Sequence, residues 1–590
     1  MHNFFSYIFF FLIIVSGGLH SDEHPDYIST TSGYIKGYAK NKVINYDDIP
    51  YAKPPIGSLR WKAPREINDR DQILQSKDGN YCIQEPSSMG GAPGEEIITG
   101  TEDCLYLDIK TPTTNDSQLL PVMFWIHGGG NTSGLKDIYD FSKMVKRHDV
   151  IVVTINYRLG AFGWFTHPAI QSDQNAIDKT SNFGTLDIIQ ALKWVKNNID
   201  SFGGDPNNIT IFGESAGGHN VLSLLVAPQA KGLFHKAISQ SGYTTSVSKD
   251  HAYITDDDNP IYKHTSNEVV NRLFPNSDKI SLLELKEKLY SLSSKEFFSE
   301  YSDSSNLEMP LLTNDGIVIP ELGLENAIKF NKHTKNIPLI AGSNRDEVKL
   351  WLAAAEYFVE LDYALIGSII GIPKVKLKNE DGFEAFNFYR SEAWKIRGVI
   401  EPLSYLNDSG NTNTFAYRYD WDDHRKFLIA DFQKLIGASH GTEIPLLTGS
   451  NQLVGSYGFL IYPSGPSKRF LSKNMRMLWS NFAKNGSPGT SSNGIEWLPY
   501  NQSKDSKNFL ILDNRRNIRL TDSHVTYKEL VELLNNDIRV NKLEKCVILY
   551  QMGTYVGNDI FNELKQFSTF ECERKDARDF IQANANFIEY

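Results

Sequence analysis

Apolar residues in this chain fall into short, nearly unbroken runs. Val122-Met123-Phe124-Trp125-Ile126 stops at His127-Gly128, and Val150-Ile151-Val152-Val153-Thr154-Ile155 stops at Asn156-Tyr157-Arg158. Ile209-Thr210-Ile211-Phe212 stops at Gly213, and Ala237-Ile238-Ser239 and Pro338-Leu339-Ile340-Ala341-Gly342 follow. Such runs, rich in β-branched and aromatic residues, predict strands covered on both faces. Between them the spacing changes. Leu186, Ile189, Leu192, Val195 and Ile199 recur at helical intervals, which predicts a helix with one apolar face. Strands alternating with helices imply the α/β class, with a mostly parallel sheet and helices on both sides. In such sheets ligands sit at the carboxyl ends of the strands, and here those ends carry the glycine-rich stretches.

One of these stretches is Phe212 to Asn220, FGESAGGHN. Its G-x-S-x-G pattern alone carries little weight, because ordinary Gly and Ser usage produces it by accident in about one chain in five of this length. Its context carries more. A strand ending at Gly213 and a helix beginning near Ala216 leave Glu214 and Ser215 on the turn. So sharp a turn strains the backbone and needs small neighbours, which Gly213 and Gly217 supply. The turn pushes the Ser215 hydroxyl out of the sheet. It also leaves the Ala216 N–H at a helix start, facing the place where an oxyanion would form. A second source of donors is HGGGNTSG, His127 to Gly134, directly after a strand. Its successive glycines let backbone approach a substrate closely and turn N–H groups inward. The alternative, a flexible surface loop, would not follow a buried strand so tightly.

The 590 residues allow a large core, and the formal charge of -11 argues against nucleic acid as a partner, since phosphate binding needs a basic surface. Phe4 to Val15 is almost wholly apolar and is followed by Ser16-Gly17-Gly18. This predicts a signal peptide over residues 1–18, too short to span a bilayer and followed by small residues suited to cleavage. The alternative is an uncleaved anchor, since no Lys or Arg precedes the run. No later segment has the length of a stable membrane span, and the expected location is secreted or periplasmic. Four cysteines, Cys82, Cys104, Cys546 and Cys572, fit export. They allow three pairings, of which the sequence-local one closes two short loops. No C-x-x-C spacing suggests a metal site.

Further motifs complete a pattern. They include Ile49-Pro50-Tyr51-Ala52-Lys53-Pro54-Pro55-Ile56-Gly57 with Leu59-Arg60-Trp61, Glu102-Asp103-Cys104-Leu105-Tyr106-Leu107, Asn156-Tyr157-Arg158, and Phe202-Gly203-Gly204-Asp205-Pro206 ahead of GESAGG. With these, the chain resembles the type-B carboxylesterase and cholinesterase family of α/β-hydrolases from about residue 28 to about residue 535. The resemblance implies an α/β-hydrolase fold, with one domain over residues 19–590 and residues 536–590 as a C-terminal extension. It implies a small-molecule ester substrate and no cofactor, and it assigns no oligomeric state. The nucleophile would be Ser215. The acid would be Glu347, the last residue of Gly342-Ser343-Asn344-Arg345-Asp346-Glu347, with Asp346 its rival by chemistry alone. The base would be His440 of Ser439-His440-Gly441-Thr442-Glu443. The oxyanion donors would be Gly129, Gly130 and Ala216.

The same resemblance makes Glu214, Ser241 and Glu443 supporting residues. Glu443 would be a buried acceptor behind the catalytic groups, and Glu214 a source of negative potential. It pairs Cys82 with Cys104, Arg60 with Glu102, and Arg158 with Asp187. The pairing of Cys546 with Cys572 rests on spacing and export. His127 and His219 are read as residues that orient backbone or pack, and His264 and His424, in polar stretches, as surface residues. In cholinesterases the loop of the first disulfide carries a Trp that binds the choline ammonium through its ring. Here the loop between Cys82 and Cys104 has no aromatic residue, so no choline selectivity is expected. Asn131 and Trp351 are candidates for shaping the pocket. The leading expectation is a secreted serine carboxylesterase. The alternatives are a catalytically silent binding or adhesion protein of the same family, and a lipase-type hydrolase with the same triad.

Overall fold

Each apolar run from Val122 onward becomes a strand, and residues of such strands alternate between two cores, as the pleat requires. The structure, a computed structural model, describes residues 27–584 apart from positions 78, 88–89, 114–117, 173, 255–263, 302–308, 331–335, 363–373, 427–429 and 504–505. The expected signal peptide lies outside the described residues. In chain order the main sheet contains β1 (Tyr38–Lys40), β2 (Val43–Pro50), β3 (Tyr106–Pro112), β4 (Leu120–Ile126), β5 (Ile151–Ile155) and β6 (Gly204–Glu214). It continues with β7 (Lys236–Gln240), β8 (Leu339–Asn344), β9 (Thr414–Tyr419), β10 (Phe509–Leu512) and β11 (Arg519–Thr521). Their spatial order is 11-10-9-8-7-6-4-5-3-2-1. Neighbours from β10 across to β5 run parallel, and the strands beyond either end pair antiparallel. This is the mostly parallel sheet that the alternating pattern implied, in the setting of the α/β-hydrolase fold that the resemblance implied.

The helices that matter below are α1 (Phe183–Asn198), α2 (Ala216–Val226), α3 (Glu380–Lys395), α4 (Pro466–Asn485), α5 (Tyr527–Asn536), α6 (Lys542–Thr554) and α7 (Arg574–Ala583). Val122, Phe124 and Ile126 of β4 face one core with α1 and α2, while Met123 and Trp125 face another with α4. Leu339 and Ala341 divide from Ile340 in the same way on β8. The helix read as having one apolar face, α1, is instead buried nearly all round, Asp187 included. Asp187 is tolerated there because Arg158 pairs with it through Nη2 and Oδ1 at 2.7 Å.

Helices α6 and α7, within residues 536–590, pack into one core with α3 and α5. Leu530 and Val531 of α5, Val547 and Leu549 of α6 and Ile581 of α7 share a core with Phe386 and Trp394 of α3. Cys82 is bonded to Cys104 and Cys546 to Cys572, so both sequence-local pairings are present. Among the described residues no helix is long and apolar enough to cross a membrane.

Strand β4 has β5 on one side and β6 on the other, so the sheet order reverses there. A crevice at the carboxyl ends is expected at such a reversal. His127 to Gly134 leaves β4 and Ser215 leaves β6 at this point.

Candidate active site

The ends of β4 and β6 lie side by side, with Ile126 opposite Gly213, and Glu214 lies opposite Gln240 of β7. At Ser215 the chain turns with φ 58° and ψ -124°, a conformation that L residues avoid unless surrounding structure enforces it. The enforcement is visible. Ser215 N–H donates to Gln240 O at 2.9 Å, and Ser215 O accepts from His219 N–H at 2.9 Å in the first turn of α2. Gly217 has no room for a side chain, since a Cβ there would sit 2.0 Å from Ile126 O. The glycine loop abuts the serine: a Cβ on Gly128 would lie 3.0 Å from Ser215 Cβ. Gly129 and Gly130 have φ of 100° and 63°, so the loop's shape depends on glycine. The N–H groups of Gly129, Gly130 and Ala216 donate in no hydrogen bond among the described residues, and Ala216 opens α2 where such donors are orphaned.

His440 stands over this turn. Its Nδ1 lies 2.7 Å from Glu347 Oε2, and its backbone N–H donates to Glu347 O at 3.1 Å. Glu347 is completely buried, and its Oε1 accepts from Asn344 N–H at 2.7 Å. With one carboxylate oxygen fixed by backbone, the other is aimed at the imidazole. This arrangement holds the proton on Nδ1 and leaves Nε2 as the basic nitrogen. Among the described residues Nε2 makes no hydrogen bond, and it faces Glu214 Oε1 at 3.3 Å.

Behind this pair, Glu443 is fully buried and accepts from Asn344 Nδ2 at 2.7 Å and Gln240 Nε2 at 3.2 Å. It thus ties the ends of β7 and β8 to the loop that carries His440. Burial raises the pKa of Glu214 and of Glu443, and neighbouring carboxylates add to it. Burial works against the charged imidazole of His440, yet Glu214 and Glu347 outweigh it and push its pKa above the ordinary 6.5. Ser241, with φ 47°, is buried beside them; its N–H donates to Gly342 O at 2.7 Å and its hydroxyl has no partner.

Asp346, the chemical rival of Glu347, turns the other way. It accepts from Arg345 Nη2 at 2.7 Å, from Ala438 N–H at 2.9 Å and from Asn387 Nδ2 at 2.8 Å. His127 and His219 support backbone. His127 Nδ1 lies 2.8 Å from Gly128 O with its ring stacked on Tyr157, and His219 Nδ1 lies 2.9 Å from Tyr243 O with its ring stacked on Tyr243. Burial lowers both pKa values to about 4. Two histidines read as surface residues are buried instead. His424 sits edge-on to Trp421 and Tyr462 with Nε2 2.8 Å from Gly437 O, and His264 packs by Tyr301. Polar neighbours in sequence misled there, because the packing partners come from distant segments.

Arg60 meets Glu102 through Nε and Oε2 at 2.8 Å, as the resemblance implied. Asn131 turns its Oδ1 to Asn220 Nδ2 at 2.8 Å and so braces the glycine loop against α2. Trp351 does reach the site, its ring 5.1 Å from that of His440. Sequence reasoning missed Trp394, whose ring is nearer at 4.7 Å and stacks on Trp351. No local motif marks Trp394; only its place on α3 brings it there.

A strained serine between a glycine loop and a carboxylate-held imidazole, at the carboxyl ends of an α/β-hydrolase sheet, has the layout of a serine hydrolase. The family comparison agrees. A model of the carboxylesterase family matches residues 24–363 and 390–528, and the chain belongs to that family. It is 33% identical over 506 residues to the para-nitrobenzyl esterase of Bacillus subtilis, covering 82% of this chain and 94% of that one. It is 31% identical over 534 residues to carboxylesterase 1D of Mus musculus, covering 81% and 88% respectively. A solved structure of a PNB esterase superposes with a TM-score of 0.64 at 29% identity, covering 83% of this chain and 96% of that one.

Proposed function

We propose that this protein is a secreted serine carboxylesterase that hydrolyses carboxylic esters through an acyl-enzyme on Ser215. The observation that carries the reading is the 2.7 Å contact between His440 Nδ1 and Glu347 Oε2 beside a serine held at φ 58°. The family membership and the esterases among the relatives support the same reaction.

In this mechanism substrate binding brings His440 Nε2 and the Ser215 hydroxyl into a hydrogen bond; such contacts are often loose before substrate arrives. His440 takes the proton as Ser215 Oγ attacks the ester carbonyl. Glu347 fixes the tautomer and stabilises the imidazolium. The N–H groups of Gly129, Gly130 and Ala216 receive the oxyanion, each such donor being worth about 3 kcal/mol of barrier. His440 then protonates the leaving alcohol. Water, activated by the same imidazole, releases the acid and restores Ser215. Glu214 and Glu443 keep the imidazole basic, and no cofactor is required. The aromatic-free loop between Cys82 and Cys104 favours general esters over choline esters. Two disulfides and the apolar leader support export.

Hydrolysis of a panel of p-nitrophenyl esters tests the reading. Wild type should turn over several of them, and Ser215→Ala should lose all but a trace. Equal rates in the two proteins would remove Ser215 from the mechanism. An inactive wild type would remove the esterase reading altogether.

A further inference from the structure

Among the described residues Arg390 is a buried cation without a counter-ion. It lies on α3, is 2% exposed, and none of its three guanidinium nitrogens has a hydrogen-bond partner among those residues. Two other buried arginines have carboxylate partners, Arg60 with Glu102 and Arg158 with Asp187, and buried Arg476 donates to the backbone carbonyl of Leu446 at 2.8 Å. Arg397, one further along the same segment, donates to Tyr527 Oη, Asn558 O and Gly553 O. Among the described residues Arg390 has the face of Tyr555, with its guanidinium carbon 5.2 Å from the ring centroid. Burial holds its pKa down to about 10, with Tyr555 the one ionisable neighbour acting against that. Removing a charge from water without a partner is costly, and a guanidinium does not escape the cost by losing its proton. A planar fork of free donors is suited to a carboxylate.

Its place in the fold connects it to the site already described. Arg390 lies one helical turn before Trp394 on α3, so both side chains project from the same side. The Trp394 ring is 4.7 Å from that of His440, and its Nε1 donates to Gly242 O at 3.0 Å, directly after Ser241. The Tyr555 ring touches both, 5.4 Å from Trp394 and 5.2 Å from Arg390. The residue after Tyr555 is strained: Val556 has φ 55°, a region β-branched residues avoid, and its carbonyl accepts from Thr244 N–H at 3.3 Å. Strain of this kind gathers at ligand clamps. Tyr555, the ring over the Arg390 guanidinium, therefore precedes a strained residue.

Resting on the esterase reading, we propose that Arg390 is the acid-recognising end of the substrate site and takes the free carboxylate of a half-ester of a dicarboxylic acid. Tyr555 gives up its place on the guanidinium to that carboxylate, which binds the fork in a bidentate way. The ester end then lies past Trp394 at Ser215. From Arg390 to Trp394 is four residues, about 6 Å along the helix, and the imidazole lies a ring contact beyond, so the reach required is that of a medium-length diacid.

The test compares p-nitrophenyl hydrogen adipate with p-nitrophenyl hexanoate, which have equal chain length and differ in the terminal charge. Wild type should favour the anionic ester in kcat/KM by on the order of tenfold, the size of one added charge-assisted contact, with the difference in KM. Arg390→Met should bring the ratio to one or below while a thermal melt shows a folded protein, since an apolar residue of similar volume is tolerated at such sites. Arg390→Lys, which keeps the charge but loses the fork, should keep part of the preference. A wild-type ratio at or below one, or the same ratio in Arg390→Met, overturns the proposal. So does a melting temperature that chloride raises in wild type and not in Arg390→Met without any preference for the adipate ester, because the site would then hold a resident inorganic ion. If wild type cleaves neither ester, the serine esterase reading fails by itself. Calorimetry with monomethyl adipate then decides this proposal: binding to wild type but not to Arg390→Met upholds it, and equal or absent binding overturns it.

Discussion

Gly217→Ala is the smallest change that should break the site, adding one methyl group two residues from the serine. Its Cβ would lie 2.0 Å from Ile126 O, 2.9 Å from Ile126 C and 3.0 Å from His127 O. Ordinary contact begins near 3.4 Å, so α2 and the end of β4 would have to separate by about 1.4 Å. Every one of these atoms is backbone, so no side chain can swing aside. The strand end that must move leads into His127 to Gly130, and the helix that must move begins at Ala216, directly after Ser215. Overpacking of this kind costs about 1–3 kcal/mol of stability. A misplacement of roughly 1 Å between reacting groups costs about 10²-fold in rate. We therefore expect kcat/KM on p-nitrophenyl butyrate to fall by about 10²-fold or more, with a lower melting temperature. Gly465→Ala is the control for activity, because a Cβ there meets nothing within 4 Å; it should leave kcat/KM unchanged, with only the small loss of stability that alanine brings at a helix N-cap. A Gly217→Ala enzyme with near wild-type kcat/KM and an unmoved melt would refute the argument that the glycine is required by the closeness of α2 to β4.

Two further outcomes follow from the charges. The proposed base, His440, must be unprotonated to act, and Glu214 and Glu347 raise its pKa above 6.5. The acid limb of kcat/KM should thus lie above that value, and Glu214→Gln should move it down by on the order of one pH unit; an unmoved or raised limb would contradict the assignment. The same raised pKa contributes stability that is fully present below about pH 6.5 and lost as pH climbs through the folded value, so Glu214→Gln should flatten that part of the stability profile. Arg158→Met leaves Asp187 buried and unpaired, and urea unfolding should show a loss of about 3–5 kcal/mol; a variant as stable as wild type would mean that the 2.7 Å pair does not hold the charge of Asp187 in the core.

The parts of the fold legible in the sequence are those governed by local chemistry. Met123 and Trp125 against Val122 and Phe124 follow from a pleat with period two, and the glycines around Ser215 follow from a turn too tight for side chains. Glu347 and His440 were legible only through resemblance. Chemistry left Asp346 open beside Glu347, and what separates them is that Arg345 and the Ala438 N–H capture Asp346. His424 looks polar among Asp422, Asp423 and Arg425, yet Tyr462 comes across the fold to bury it. Trp394, Tyr555 and Arg390 meet for the same reason, through packing between α3 and the C-terminal helices, and no periodicity in either segment announces the meeting.

The central claim is that Ser215 becomes acylated. Intact-mass spectrometry of the protein after exposure to a serine-reactive organophosphate, followed by peptide mapping, measures this without reference to any natural substrate. We expect one adduct per chain, on the peptide carrying FGESAGG, absent in Ser215→Ala and formed far more slowly in Glu347→Gln. An unmodified wild-type protein, or an adduct that persists in Ser215→Ala, would contradict the claim.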